Sequence, residues 1–409
     1  MNMTVIVKNV APIKEANLVL DTPITVIYGA SSAGKTTLIN IIDCMFQALY
    51  SDSQVKECLK YEGGVLERIP MYEDTGYIEV LLELDEHKHV QISARIQPFS
   101  ATKNIKIDIK AEGIASIRDV RPSILVIPEN RHVALELLCT EWNKYARADV
   151  FLSRLLGASS DEVSDFDRLL RMSRVSSVES EYDQTLKLIR LLLSKYHRLL
   201  KPLHTILSNS SLSRISNTLF KHILSQWLGR PVSYVDVTRF IVDSVPICEE
   251  SFGARELFIV LPVLIALIGI EPYQRLGSPS LITIDSVGLG LTRKETLFLA
   301  LALIRLWEKL RSEVENLNLK TVITSHSELL FEAPVMESIS KGQKVDELLK
   351  MLSVSLLPEV FSNTEYRHLQ PEDYKVLEFV PSTEGSILRE IPDYIKNVDR
   401  TIFEVLYGK

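Results

Sequence analysis

The chain has few cysteines and no long apolar run, and each scarcity excludes a class of protein. Its four cysteines lie far apart and lack the close spacing of zinc ligands, so we expect reduced thiols and no zinc site. The longest apolar stretch, 257–270, is about 14 residues long and contains Pro262, whereas a membrane-spanning helix needs roughly 20 apolar residues. We therefore expect a buried helix there and no membrane span. The cysteines are Cys44, Cys58, Cys139 and Cys248.

We also expect no secretory leader, and basic residues are not in excess. Met1 to Lys8 alternate in the manner of a strand instead of placing charge before an apolar segment, which predicts a cytoplasmic protein. The net charge of -7 argues against a broadly basic surface, although a local basic groove for nucleic acid is compatible with it. The composition, 46% apolar and 24% charged, is that of a globular protein, and 409 residues predict two or three structural units.

A strand, a glycine loop and a helix follow one another near the start of the chain. Short strands rich in β-branched residues are predicted between 4 and 29. From Lys35 onward, apolar residues recur at intervals of three and four, which predicts a helix. Between them, 29–36 reads GASSAGKT and fits the pattern G-x-x-x-x-G-K-[ST]. This order of elements favours a phosphate-binding loop over a plain glycine turn before a helix.

The residue types in this loop explain how it would bind a nucleoside triphosphate. Small residues let successive backbone N–H groups point at phosphate oxygens, and the following helix contributes the positive end of its dipole. Lys35 is expected to reach the β- and γ-phosphates, and Thr36 to offer its hydroxyl to Mg²⁺. We therefore predict that the loop binds ATP with Mg²⁺. The predicted nucleotide-binding residues are Gly29, Ala30, Ser31, Ser32, Ala33, Gly34, Lys35, Thr36 and Thr37.

Two later apolar strands end in residues that suit the same site. Residues 281–284 precede Asp285, whose carboxylate would hold Mg²⁺ through coordinated water. Residues 321–324 lead to His326, which hydroxyl residues flank. One predicted helix separates the strands, so both ends are expected at one edge of a parallel sheet. Taken singly, each feature is also common in structural roles; beside the phosphate loop, we assign Asp285 to the metal, and Lys35, Asp285 and His326 to catalysis.

A turn at 250–256, reading ESFGARE, precedes the long apolar stretch. A turn of small residues at the start of a helix binds an anion through its backbone N–H groups. The alternative is that Ser251 merely caps the helix, and both interpretations stay open. We include Ser251, Gly253 and Arg255 among the predicted nucleotide-binding residues.

The rest of the chain alternates between strand-rich and helix-rich segments. Strand-like alternation from 76 to 127, closing with the apolar run 124–127, predicts an antiparallel sheet. Helical spacing over 132–228 fits a short coiled-coil hairpin and a packed helical subdomain equally well. After Pro246 the α/β character returns. The last predicted elements are strand pieces near 376–380 and an amphipathic helix over 391–406.

The order of these motifs resembles that of ABC-type ATPases, and among them the SMC, RecF and OLD-like branch. The features that match are the phosphate loop, a helical insertion, the Ser251 to Arg255 turn, the strand ending in Asp285 and the strand ending in Ser-His-Ser. The resemblance implies an α/β P-loop NTPase of the ABC-type head, with an N-terminal antiparallel β subdomain and a helical insertion. The implied domains are an N-terminal lobe (1–130), the helical insertion (131–245), a C-terminal lobe with signature turn, Walker B strand and His switch (246–340), and an α/β tail (341–409).

The resemblance also implies a way of working. Two heads would sandwich two ATP molecules, with the Ser251 to Arg255 turn of one chain closing on the γ-phosphate held by the other, so that ATP drives homodimerisation. His326 would be the switch histidine and Asp285 the Walker B carboxylate. The implied function is an ATPase acting on another macromolecule, either DNA in repair, maintenance or defence, or a partner protein. A membrane-transporter ATPase and an OLD-type nuclease fit the residues less well.

Three departures from the family pattern bear on this function. Ser286 stands directly after Asp285, where the family usually has the glutamate that activates water, so slow or absent hydrolysis is expected. Phe252 leaves the register of the signature turn open, and neither Gln91 nor Gln97 is assigned as the Q-loop residue. The alternative hypothesis is therefore a nucleotide-gated scaffold or sensor that binds ATP with little hydrolysis.

Overall fold

The computed structural model describes a large β-sheet, one helix and shorter pieces of the chain. The described residues are 2–47, 49, 58–59, 75–85, 87–97, 104–114, 124–127, 210, 213–214, 217, 221, 224–225, 231–236, 241–250, 253–255, 280–288, 291, 307–308, 310–312, 314, 317–326 and 373–390. The chain divides into two compact units, one made of Met1–Glu129 with Gly277–Lys409 and the other of Asn130–Leu276. The four predicted domains, bounded near 130, 245 and 340, stay a prediction.

The first unit is built on a mixed β-sheet of 11 strands. They are β1 (Asn2–Val10), β2 (Ile13–Leu20), β3 (Ile24–Gly29), β4 (Gly76–Asp85), β5 (Lys88–Gln97), β6 (Asn104–Glu112), β7 (Ile124–Ile127), β11 (Leu281–Val287), β12 (Lys320–Ser325), β13 (Tyr374–Ser382) and β14 (Gly385–Glu390). Across the sheet they follow the order β6-β5-β4-β1-β2-β14-β13-β3-β12-β11-β7. The predicted α/β class is confirmed, and the structure shows that the sheet is mixed.

One half of the sheet is antiparallel and has a single buried face. Its strands are β6, β5, β4, β1 and β2, each antiparallel to its neighbours in that run. Along β1, alternate residues such as Met3, Val5 and Val7 are buried, while the residues between them are more exposed. This period of two, in β-branched residues that suit a pleated surface, fixes which face packs on the core.

The other half is parallel and is buried on both faces. β12 lies between β3 and β11 and pairs in parallel with both, and every residue of β11 is buried. The prediction that 124–127 closes the antiparallel sheet is wrong, because β7 pairs in parallel with β11 at the opposite edge. The physical reason is visible in its residues: Ile-Leu-Val-Ile does not alternate, as expected of a strand covered on both sides.

A hairpin from the C-terminal segment joins the two halves. β13 pairs in parallel with β3, β14 pairs in parallel with β2, and the two pair with each other antiparallel. The strand predicted near 376–380 is therefore confirmed as part of β13. The hairpin occupies the middle of the sheet, so the segment after 341 contributes to the core of the first unit.

Helix α1 (Lys35–Gln47) packs its apolar face into the core beside β3 and β11. Leu38, Ile41, Ile42 and Met45 are buried at helical spacing, as predicted. Cys44 on this buried face forms a disulfide with Cys58, with the Cα atoms 5.4 Å apart. The expectation of reduced thiols is therefore wrong for this pair, because packing brings together two cysteines 14 positions apart in sequence.

The second unit contains a small antiparallel sheet. Its strands are β8 (Val235–Asp236), β9 (Ile241–Val242) and β10 (Val245–Pro246), and a 3-10 helix, Ile247–Glu249, follows. The described residues between 210 and 225 are helical, as predicted, but most of the predicted helices at 132–228 and 254–269, and the whole of that at 391–406, lie outside the described residues. In the part of the chain that is described, no helix has the length and apolarity to cross a membrane.

Candidate nucleotide-binding site

The predicted phosphate loop connects β3 to α1, as its sequence requires. Gly29 and Gly34 adopt φ angles of 152° and 106°, which side chains disfavour, so glycine is needed at both positions. At Gly34 a side chain would also collide with β2, because an added Cβ would lie 2.6 Å from Ile13 Cγ1. The loop closes with a bond from Ala33 N–H to Ala30 C=O at 3.2 Å.

Lys35 is the most constrained residue of the loop. Its side chain is buried, with Nζ donating to the carbonyl oxygens of Gly29 at 2.7 Å and Ala30 at 2.9 Å. Nζ also lies 3.2 Å from His326 Nδ1. An ammonium group has only donors, so in a hydrogen bond between these two atoms Lys35 donates and Nδ1 accepts. The predicted residues Lys35 and His326 therefore meet, although 291 positions separate them.

The hydroxyl residues after Lys35 begin α1. Thr36 is partly exposed, whereas Thr37 is buried, and Ser31 and Ser32 of the loop are exposed. The amide of Leu38 makes the first helical bond, to Gly34 C=O at 2.8 Å. Amides that precede it have no helical acceptor, which is the arrangement that binds phosphate oxygens at a helix N-terminus.

Asp285 lies near the end of β11 and bonds to the neighbouring strand. Its Oδ1 accepts from Thr324 Oγ1 at 2.5 Å, and the same hydroxyl accepts from Ser286 N–H at 2.8 Å. A bulge interrupts the pairing here: Ile284 pairs with Ile323 and Val287 with Ser325, so Asp285 and Ser286 face Thr324 alone.

Ser286, the residue in the position of the expected glutamate, is buried and has a φ of 52°. Its side chain therefore lies inside the protein and not on an open surface. The left-handed backbone explains why a small polar residue stands here, since such a conformation strains most side chains. The departure from the family pattern at Ser286 therefore coincides with a buried side chain in left-handed backbone.

The residues at this edge fit a nucleotide with Mg²⁺. β3, β12 and β11 are adjacent and parallel, so their C-terminal ends bring Lys35, His326 and Asp285 to one edge of the sheet. Thr36 and Asp285 carry side-chain oxygen atoms, the kind of ligand that Mg²⁺ prefers. No group of three or more His, Cys, Asp or Glu side chains suited to a metal occurs among the described residues, and a Mg²⁺ held by phosphate and water does not require one.

The predicted signature turn belongs to the second unit and is described only in part. Gly253, Ala254 and Arg255 are helical, and Ala254 is buried. Ser251 and Phe252 lie outside the described residues, so both registers of this turn stay open, as they are in the sequence. Thr324 is absent from the predicted site, because its contact with Asp285 depends on the bulge, which no local pattern reveals.

The phosphate loop lies in the part of the chain that matches a known family model. Residues 4–195 match the AAA domain family AAA_23. Among solved structures, the Smc head bound to the C-winged helix domain of ScpA is similar, at 11% identity and a TM-score of 0.44 over 95% of this chain and 96% of that one. An Smc head with an extended coiled coil bound to the C-terminal domain of ScpA from Pyrococcus furiosus is 11% identical, with a TM-score of 0.42 over 99% and 100%.

A third similar structure is RecF, a recombination mediator protein of the RecFOR pathway, at 11% identity and a TM-score of 0.40 over 95% of this chain and 98% of that one. No curated protein sequence matches the chain.

Proposed function

We propose that the chain binds Mg-ATP at the C-terminal edge of β3, β12 and β11, since this edge carries the phosphate loop and residues 4–195 match the AAA domain family. The family match also confirms the resemblance that the order of motifs predicted. The observation that carries the proposal is the contact of Lys35 with two loop carbonyls and His326. A buried lysine with this set of partners holds the loop in shape and keeps a positive charge where phosphates would lie.

Each residue at the edge has a definite task in this proposal. The backbone amides of 30–35 and the start of α1 bind the phosphates, and Lys35 exchanges its carbonyl partners for β- and γ-phosphate oxygens. Thr36 and Asp285 hold Mg²⁺, which neutralises charge on the phosphates when it is bound. His326, which contacts Lys35 Nζ at 3.2 Å, then lies beside the γ-phosphate.

We infer further that ATP brings two heads together and that the pair acts on DNA. The support is the order of the motifs, in which the 251–255 turn of one chain would close on ATP held by another. The test of this inference is light scattering of the protein with and without Mg-ATP, in the presence and absence of duplex DNA.

The burial of Ser286 favours a second candidate, a nucleotide-gated scaffold or sensor with little hydrolysis. A serine with its side chain inside the protein does not activate water as a carboxylate does. Single-turnover and steady-state hydrolysis separate the two candidates. Turnover that DNA stimulates supports the ATPase, whereas tight ATP-dependent dimers without turnover support the scaffold.

The controls for both assays are two lysine variants. Lys35→Ala removes the buried ammonium at the loop and should abolish ATP-dependent dimerisation and any turnover. Lys8→Ala removes a half-exposed lysine that pairs with Glu15 at 3.6 Å on the antiparallel half of the sheet, and should leave both unchanged. Dimerisation or turnover that persists in Lys35→Ala would contradict the proposed site.

A further inference from the structure

Thr324, a residue outside the predicted site, lies where β11 and β12 both reach the nucleotide edge. Its side chain is fully buried. One hydroxyl makes two bonds, to Asp285 Oδ1 at 2.5 Å and to Ser286 N at 2.8 Å. Thr324 therefore connects Asp285, the carboxylate expected to hold Mg²⁺, to β12, the strand that leads to His326.

The direction of these two bonds follows from elementary chemistry. The Ser286 amide has only a proton to give, so the hydroxyl accepts from it. A hydroxyl has a single proton, and the remaining bond must therefore donate that proton to the Asp285 carboxylate. A bond to a carboxylate inside the protein is short and strong, in agreement with the 2.5 Å separation. The backbone of the bulge thus sets the hydroxyl so that it points at Asp285.

Because of the bulge, this hydroxyl makes hydrogen bonds that a hydrophobic side chain of the same shape does not make. Asp285 and Ser286 both face Thr324, so the regular ladder is interrupted where the Ser286 amide needs an accepting partner. The hydroxyl provides that partner and holds the carboxylate beside it.

We propose that Thr324 is a positioning residue for Mg²⁺, which it serves by orienting the Asp285 carboxylate. The inference rests on the proposed function, in which ATP binds with Mg²⁺ at this edge. Residues that orient a metal ligand typically change metal affinity or activity about 10- to 100-fold when they are removed. We expect an effect of that size on the part of ATP binding that depends on Mg²⁺.

Thr324→Val is the direct test, because valine keeps the shape of the side chain and removes the hydroxyl. Thr283→Val is the matched control. Thr283 is buried on the same strand as Asp285, two positions earlier, and its Oγ1 has no hydrogen-bond partner among the described residues. Both variants lose a buried hydroxyl from the parallel half of the sheet, but only the first disconnects Asp285.

The measurement is equilibrium binding of a fluorescent ATP analogue, with excess Mg²⁺ and with EDTA. For each protein the ratio of the two dissociation constants reports how much Mg²⁺ tightens binding. We expect Thr324→Val to lose about 10-fold or more of that tightening and to change metal-free binding little. Thr283→Val should match the wild type in both conditions, and Thr324→Ser, which keeps the hydroxyl, should restore most of the ratio.

Three outcomes would overturn the proposal. Equal ratios in wild type and Thr324→Val, with normal ATP binding, would show that the hydroxyl does not serve the metal and would leave the proposed function intact. Equal loss with and without Mg²⁺ would show a structural role alone. Failure of the wild type to bind ATP would reject the proposed function together with the inference. If Thr324→Val does not fold, Thr324→Ala is compared with Thr324→Ser by the same ratio.

Discussion

Replacing Gly34 by alanine tests whether the antiparallel half of the sheet shapes the phosphate loop. Gly34 has a φ of 106°, and an added Cβ would lie 2.6 Å from Cγ1 of the buried Ile13 on β2. Real Cβ atoms do not approach another carbon so closely, so either the loop or β2 must move. The substitution therefore combines backbone strain with an overfilled core.

The size of the effect follows from these two contributions. Holding a non-glycine residue in such a conformation costs about 1–3 kcal/mol, and overpacking a well-filled site costs about 1–3 kcal/mol more. We expect Gly34→Ala to lower the free energy of unfolding by about 2–6 kcal/mol. Ile13→Ala alone should cost about 2–5 kcal/mol through the cavity that it leaves.

The double variant separates the two contributions. Ile13→Ala removes the atom that collides, so the pair should cost about 1–3 kcal/mol less than the sum of the single variants. The assay is urea unfolding followed by the fluorescence of Trp307, which is buried in the first unit, after Trp142 and Trp227 have been replaced by phenylalanine. Strict additivity of the two costs would refute the contact between the loop and β2.

Three further predictions follow from the same structure. Reduction of the Cys44–Cys58 disulfide, which closes a short loop of 14 positions, should destabilise the first unit by about 3 kcal/mol. Thermal unfolding with and without reductant measures this loss of stability, and identical unfolding curves would contradict the pairing. Ser286→Glu should destabilise the protein by about 3 kcal/mol or more without raising the rate of ATP turnover, because it buries a charged side chain at a position where φ is 52°. Faster hydrolysis of ATP by this variant would contradict the burial of the Ser286 side chain. Arg311→Ala should cost about 1–3 kcal/mol in urea unfolding by leaving the partly buried Asp373 without its ion pair, and an unchanged midpoint would contradict that contact.

The local features of this protein could be predicted because their physical signals are local. The phosphate loop needs small residues and two glycines within a few positions, and the periodicity of α1 lies within one helix. The strands β11 and β12 are short, apolar and followed by polar residues. All these signals lie within a dozen residues, which is why the sequence alone predicts the strand ends and the loop at Lys35, Asp285 and His326.

The remaining features depend on pairing between distant parts of the chain. β7 was expected beside β6, its neighbour in sequence, and instead pairs with β11. The insertion of β13 and β14 between β2 and β3 leaves no trace in the composition of those strands. The same holds for the disulfide of Cys44, whose partner is set by packing, and for Thr324, whose hydroxyl matters only because a bulge places it beside Asp285.

The most direct test of the central claim is equilibrium binding of ATP to the wild type and to Lys35→Ala in the presence of Mg²⁺. The account predicts saturable binding of ATP by the wild type and a loss of at least about 100-fold in affinity for the variant, which is roughly 2.7 kcal/mol, while its folding is preserved by circular dichroism. Equal affinity in the two proteins, or no binding by a folded wild type, would contradict the assignment of the loop at 29–37 as the nucleotide site.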